Sequence, residues 1–128
     1  MDYDFNSETR EEDSKAQVIL AHWSESAGET EKAESHNKNA LLIYEKNELA
    51  LNSYACLLEK LNRKEEAEIY FNKAIEVSPV NDIYLYNRGC LYENLARTEE
   101  AINDFQKALV INPSNELANN KLTMLLEN

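Results

Sequence analysis

Apolar residues recur at helical spacing through the middle of the chain. From Leu51 to Leu58 they follow an i, i+3, i+4, i+7 pattern, which places them on one face of an α-helix. A second such face runs from Ala67 to Ala74, after the polar turn at 62–64. The period-two alternation of β-branched residues that is typical of strands is missing. The pattern therefore predicts two short helices joined by a tight turn.

The same pattern returns 34 residues later. Residues 65–79 read EEAEIYFNKAIEVSP, and residues 99–113 read EEAINDFQKALVINP. Pro79 and Pro113 mark the ends of the second helices, because proline inside a helix loses a hydrogen bond and clashes with the preceding turn. A single helical hairpin cannot bury both of its apolar faces, so the copies have to stack. The sequence predicts an all-α superhelical stack of helix–turn–helix hairpins.

The later copy carries a recognisable set of residues. Gly89 and Tyr92 have G-x-x-Y spacing, and Ala101 and Phe105 have A-x-x-x-F spacing before Pro113. This 34-residue unit resembles the tetratricopeptide repeat, clearly over 82–115 and well over 48–81. Arg88 departs from the pattern, since an apolar residue is usual there, and we expect its side chain to be solvated or to snorkel, with its charged end in water.

A third, degenerate copy is predicted at 14–47. Gly28 lies where the turn is expected, and Ser14 with Gln17 forms a capping-box pattern at the expected start. Against this interpretation, Asn37 stands where the later copies have a buried phenylalanine. The open alternative is an unrelated helical hairpin that precedes two true repeats.

The two ends of the chain are expected to differ. Residues 116–128 carry leucines beside asparagines, which favours a C-terminal capping helix, either a genuine cap or the start of a further repeat in a longer array. Residues 1–13 are acidic and contain only two aromatic residues. We expect them to form a disordered leader, because they bury too little apolar surface to offset the entropy of ordering.

Charge and cysteine content limit the classes of partner. The net charge is −11, from 24 acidic and 13 basic residues, so nucleic acid and anionic membranes should be repelled. The apolar runs are too short for a membrane span, and no secretory signal is expected. The two cysteines make no disulfide framework, which favours a reducing, cytoplasmic compartment.

No catalytic motif is evident, and the chain is predicted not to be an enzyme. His22, Cys56 and Cys90 occupy the same position in successive copies. Equivalent positions of stacked helices lie at least about 8 Å apart, whereas metal ligands converge to about 2.0–2.3 Å from one ion. We therefore expect neither a metal site nor a cofactor.

A second row of residues on each first helix lies off the packing face. In tetratricopeptide arrays this row lines the concave groove that binds peptides, and the resemblance implies the same use here. The candidate groove residues are Asn52, Cys56, Glu59, Ile83, Tyr86, Asn87, Cys90 and Glu93.

Glutamates at the same position of each copy suggest the character of a partner. Glu25, Glu59 and Glu93 recur near helix C-termini, where negative charge is unfavourable to the helix dipole. Local stability gives no reason for this row, so it favours a peptide with Lys or Arg beside an apolar anchor.

The resemblance also argues against the binding of acidic chaperone tails. Co-chaperones of the family hold acidic chaperone tails with Lys, Asn and Arg. The matching positions are not basic: Val18, His22, Ser53, Ile83 and Asn87. We predict a non-enzymatic protein–protein adaptor that binds a peptide in the groove. The alternative is a structural scaffold subunit or a self-associating fragment of a longer array, and the oligomeric state stays open.

Overall fold

The computed structural model describes residues 7–127. This part of the chain forms helices and no strand. The helices are α1 Ser7–Ser26, α2 Thr30–Ile43, α3 Glu48–Lys60, α4 Lys64–Val77, α5 Asp82–Asn94, α6 Thr98–Ile111 and α7 Glu116–Glu127. Helices α1, α3 and α5 each pack against the helix that follows, and successive hairpins pack on one another, with α7 against α6. The predicted all-α stack of hairpins is confirmed.

Small residues sit where the two helices of a hairpin approach. Ala55 and Ala67 are fully buried in the α3–α4 hairpin. In the α5–α6 hairpin, Gly89 takes the place of Ala55 and lies directly against the ring of Phe105. Phe71 and Phe105 are fully buried, as the repeat predicts. The apolar core therefore runs along the stack between the helices.

The first helix of each hairpin ends in the same way. Gly28, Asn62 and Ala96 have positive φ angles of 78°, 62° and 59°. In all three turns the next residue donates its N–H to the carbonyl oxygen five positions back, over 2.8 Å. This is the Schellman arrangement, which needs a left-handed residue at that point. Glycine adopts the conformation freely and asparagine tolerates it, but alanine is strained by its Cβ.

Ala96 therefore gives a prediction about stability. We expect Ala96→Gly to raise the free energy of unfolding by about 0.5–1 kcal/mol, since relief of left-handed strain exceeds the added entropy of the unfolded chain. Ala16→Gly, an exposed position inside α1, is the control and should lower stability by about 1 kcal/mol. Urea unfolding of both variants measures the effect. Equal losses in the two variants would show that Ala96 is not strained.

The start of α1 differs from the prediction. The helix begins at Ser7, so residues 7–13 of the predicted leader are helical and the prediction of disorder was wrong for them. Residues 8–12 are mostly Glu, a good helix former whose negative charge suits the first turns of a helix. The rest of the predicted leader, residues 1–6, lies outside the described residues.

Ser14 is not a helix start but a buried residue inside α1. Its hydroxyl donates to the Ala40 carbonyl oxygen over 2.7 Å and accepts from Asn47 Nδ2 over 2.8 Å. Asn47 Oδ1 in turn accepts from the Ala50 N–H and caps α3. A single hydroxyl thus ties α1, the end of α2 and the start of α3 together. The capping-box interpretation was wrong because the helix begins seven residues earlier.

We expect Ser14→Ala to lower the free energy of unfolding by about 1–3 kcal/mol, because Asn47 loses the acceptor for a buried N–H. Ser35→Ala, at an exposed position of α2, is the control and should change stability by less than about 0.5 kcal/mol. Chemical denaturation of the two variants measures both changes in the free energy of unfolding. Indistinguishable midpoints would mean that water replaces the hydroxyl without cost.

Helix α7 packs against α6. Ala118 is buried there, Leu122 and Leu125 are half-buried against the core, and Asn119 and Thr123 face solvent. Leu117, Met124 and Leu126 are exposed as well, so the outer side of this terminal helix is only partly polar. Its role as a cap, together with the predicted repeat boundaries, stays a prediction.

Candidate peptide groove

The predicted groove residues lie on the first helices of the second and third hairpins. Asn87 Nδ2 on α5 donates to Asn52 Oδ1 on α3 over 3.1 Å. Asn94 Nδ2 on α5 donates to Glu59 Oε2 on α3 over 2.7 Å. These bonds cross between equivalent helices, so the structure brings the two rows onto one surface. Whether this surface binds a peptide stays a prediction.

A row of exposed aliphatic side chains borders this surface. Leu49, Ile83 and Leu117 hold the same position on α3, α5 and α7, and they are 55%, 56% and 61% exposed. Ile83 and Leu117 line one shallow cleft of about 480 Å³, and Leu49 lines another of about 470 Å³. The sequence pattern identified Ile83 but missed Leu117, although the 34-residue offset leads from Ile83 directly to this position on α7.

Tyr86 is less available than the sequence suggested. Its side chain is half-buried, and its ring packs against Phe105 with centroids 5.8 Å apart. Burial raises the pKa of its hydroxyl to about 12, and a hydrogen bond with Cys90 adds to the shift. Tyr86 thus supports the core beneath the candidate groove surface.

Both cysteines are free thiols in half-buried positions. Burial raises the pKa of Cys56 to about 11, and the nearby Glu59 carboxylate raises it further. Burial also raises the pKa of Cys90, against the opposing effect of its hydrogen bond with Tyr86. At neutral pH both side chains are protonated, so neither is an activated nucleophile.

The row of glutamates has structural partners. Lys60 Nζ donates to Glu25, and Lys121 Nζ donates to Glu93, each over 2.8 Å. These bonds raise the pKa of both lysines. Each of these contacts joins one first helix to the next. The expectation that local stability gives no reason for the glutamates was therefore wrong, and only Glu59 is bonded by a neutral amide instead of a lysine.

Arg88 is not solvated, contrary to the prediction. Its guanidinium forms a bidentate ion pair with Asp104. Nε donates to Oδ2 over 2.7 Å, and Nη2 donates to Oδ1 over 2.8 Å. The Asp104 side chain is 1% exposed and that of Arg88 is 17% exposed. The Asp104 hydrogen bond raises the pKa of Arg88 against the opposing effect of burial. Arg88 and Asp104 thus join α5 to α6 inside the third hairpin.

Within residues 7–127, no cluster of three or more His, Cys, Asp and Glu side chains could hold a metal ion. None of the helices in this range combines the length and apolarity that crossing a bilayer demands.

Two profiles of the tetratricopeptide repeat match the chain, over residues 49–81 and 83–115, together more than half of its 128 residues. The chain belongs to the tetratricopeptide repeat family. Domains of this family are protein-interaction modules. No curated protein matches the chain significantly in sequence.

Solved tetratricopeptide domains share the fold at low identity. The first tetratricopeptide domain of Spaghetti (RPAP3), bound to the HSP90 peptide SRMEEVD, superposes with a TM-score of 0.86 at 19% identity, covering 91% of this chain and 93% of that one. The Arabidopsis OM64 domain gives a TM-score of 0.86 at 24% identity, covering 92% and 98%. The first domain of human RPAP3 gives 0.84 at 19% identity, covering 90% and 91%.

Proposed function

We propose that this tetratricopeptide domain is a non-enzymatic adaptor that binds an extended peptide along the inner surface of α3, α5 and α7. The row of Leu49, Ile83 and Leu117 carries the proposal, because three exposed aliphatic side chains at equivalent positions have no role in the core. Exposed apolar surface in register along neighbouring helices is typical of a binding site. A peptide with aliphatic or aromatic anchors would bury these side chains.

The two groove asparagines support an extended ligand. Their mutual hydrogen bond uses Asn87 Nδ2 and Asn52 Oδ1. Asn52 Nδ2 and Asn87 Oδ1 make no other hydrogen bond within the described part of the chain, which leaves the Asn52 N–H donors and the Asn87 carbonyl oxygen free for a ligand. A peptide backbone offers the complementary carbonyl oxygen and N–H, so the pair suits main-chain recognition of any sequence. Specificity would then come from the aliphatic row.

The charges favour one cationic residue in the partner rather than a run of them. Glu25 and Glu93 are paired with lysines, whereas Glu59 is bonded only by a neutral amide and keeps its charge available. The net charge of −11 adds long-range attraction for basic partners. We propose a peptide with apolar anchors and one Lys or Arg opposite Glu59.

An acidic tail of the kind in the RPAP3 complex does not suit this groove. The peptide SRMEEVD of that complex carries three carboxylate side chains. The corresponding positions here include no Lys or Arg, among them Ser53, Ile83 and Asn87. Glu59 would add repulsion of about 1 kcal/mol at solvent-exposed contact distance. We propose that this protein recognises a different class of peptide.

The test pairs two double variants of matched chemistry. Leu49→Ser with Ile83→Ser removes the aliphatic row, and Leu42→Ser with Val110→Ser removes equally apolar side chains, 84% and 83% exposed, from the second helices. Peptides are selected on the unmodified protein from a random 12-residue display library, and their affinities are measured by calorimetry. We expect the groove variant to lose at least about tenfold in affinity and the control to lose none, with thermal midpoints unchanged in both. Equal affinity of both variants would place binding elsewhere.

The compartment remains a prediction. The two unpaired thiols suit the reducing cytoplasm that the sequence predicts.

A further inference from the structure

The end of the stack formed by α1 exposes an apolar face. Ala16, Leu20 and Trp23 lie on one side of α1, and all three are exposed, Trp23 by 66%. Ile19 is also exposed, but it holds the position that Asn87 takes in the candidate groove. These residues lie away from α2, against which α1 buries Ala21 and Ser14. We call Ala16, Leu20 and Trp23 the α1 end face.

The same positions are buried in the later hairpins. On α3 the equivalents of Ala16, Leu20 and Trp23 are buried in the core, and on α5 they are buried or half-buried. The equivalents are Ala50, Tyr54 and Leu57 on α3, and Tyr84, Arg88 and Leu91 on α5. In both cases the second helix of the preceding hairpin covers them, α2 over α3 and α4 over α5. The α1 end face therefore continues an interface that the chain makes internally between successive hairpins.

The covering helices share a simple pattern. Each presents an alanine followed by a larger aliphatic residue at its contact with the next hairpin: Ala40-Leu41, Ala74-Ile75 and Ala108-Leu109. Each of α2, α4 and α6 is 14 residues long. A separate 14-residue helix with the same apolar pair would fit the face.

The turn after α1 differs in charge from the turns after α3 and α5. Arg63 binds Glu34 of α2 over 2.8 Å, and Arg97 binds Glu68 of α4 over 2.9 Å. Each pair joins a turn to the covering helix before it. The equivalent residue of the first hairpin is Glu29, which has the opposite charge and pairs with the exposed Lys32. A covering helix for α1 needs Lys or Arg where α2 and α4 carry glutamate.

We propose that the α1 end face docks an amphipathic helix of a partner protein, with an Ala-Leu or Ala-Ile pair on its apolar side and a basic residue opposite Glu29. This surface is separate from the groove and acts independently of it. A second copy of the chain fits less well, because α2 and α4 carry Glu34 and Glu68 where a base is required, and α6 carries the uncharged Ile102.

Trp23 provides the readout, because it is the only tryptophan in the chain. The probe is a blocked synthetic peptide of residues 64–77 with Glu68→Lys, and the reference is the same peptide with Glu68. We expect a saturable blue shift of Trp23 emission, with the Lys peptide binding about two- to fivefold more tightly than the reference. The Glu29→Arg protein should reverse that preference. The groove variant Leu49→Ser with Ile83→Ser should bind both peptides as the unmodified protein does.

Three results would overturn the proposal. One is the absence of any emission shift at saturating peptide. The second is equal binding of the two peptides both by the unmodified protein and by its Glu29→Arg variant. The third is self-association, in which a second copy covers the face. It would appear as a blue shift that grows with protein concentration in the absence of peptide, and as a doubled mass in sedimentation. Trp23→Ser would abolish the doubled mass.

Discussion

Arg88→Tyr is expected to lower the free energy of unfolding by about 3–5 kcal/mol, although tyrosine is a large residue that occurs at the same position of the preceding repeat. The loss arises because Asp104, which is 1% exposed, is left buried without its guanidinium partner and without both of its hydrogen bonds. A domain of this size has only about 5–15 kcal/mol of net stability, so part of the population should unfold at physiological temperature.

The preceding repeat supplies the compensating change. There Tyr54 and Tyr70 hold the positions of Arg88 and Asp104, and their rings pack with centroids 4.7 Å apart. We expect Arg88→Tyr with Asp104→Tyr to recover most of the loss, because an aromatic pair replaces the ion pair without leaving a buried charge. Urea unfolding of both single variants and the double variant gives the coupling energy. Additive losses would mean that the two residues do not stabilise the fold as a pair.

Gly89→Ala is expected to destabilise the protein by about 1–3 kcal/mol, although alanine is the better helix former by about 1 kcal/mol. A Cβ at this position would lie 2.7 Å from Phe105 Cε1 and 2.9 Å from its Cδ1. The ring is fully buried and also packs against Tyr86, so it has little room to move away. The measurement is the midpoint of chemical unfolding.

The second repeat again provides the control. Ala55 already has a Cβ at the equivalent position, so Ala55→Gly should cost about 1–2 kcal/mol through helix propensity and the loss of one buried methyl group. A smaller side chain at position 105 should relieve the crowding, and Gly89→Ala with Phe105→Leu should cost less than the two single changes added together. A stabilised Gly89→Ala protein would contradict the close approach of α5 and α6.

The repeated apolar pattern was sufficient to predict the helices and their stacking. The 34-residue offset transfers the packing positions from one hairpin to the next, and Phe71 and Phe105 are buried accordingly. The start of α1 could not be obtained in this way. Asn47 and Asn81 cap α3 and α5, whereas Asp13 holds the equivalent position inside α1, which extends back to Ser7.

Polar contacts between helices were the harder part of the prediction. Taken alone, the departure of Arg88 from the repeat predicts a side chain in solvent. Asp104 departs at the facing position of the same hairpin, where the second repeat has Tyr70. Arg88 and Asp104 have opposite charges and replace two facing tyrosines of the preceding repeat, and this combination was the sequence signal for an ion pair. The glutamate row was misjudged for a related reason, since its lysine partners lie 35 residues beyond Glu25 and 28 residues beyond Glu93.

Binding in the groove is the claim on which the proposed function depends. The most direct measurement is an amide chemical-shift titration of the labelled protein with the tightest peptide from the display selection. We expect the largest shifts at Leu49, Ile83, Asn87 and Leu117, with small shifts along the second helices. Shifts concentrated on exposed residues of α4 and α6, with those four amides unchanged, would contradict the account.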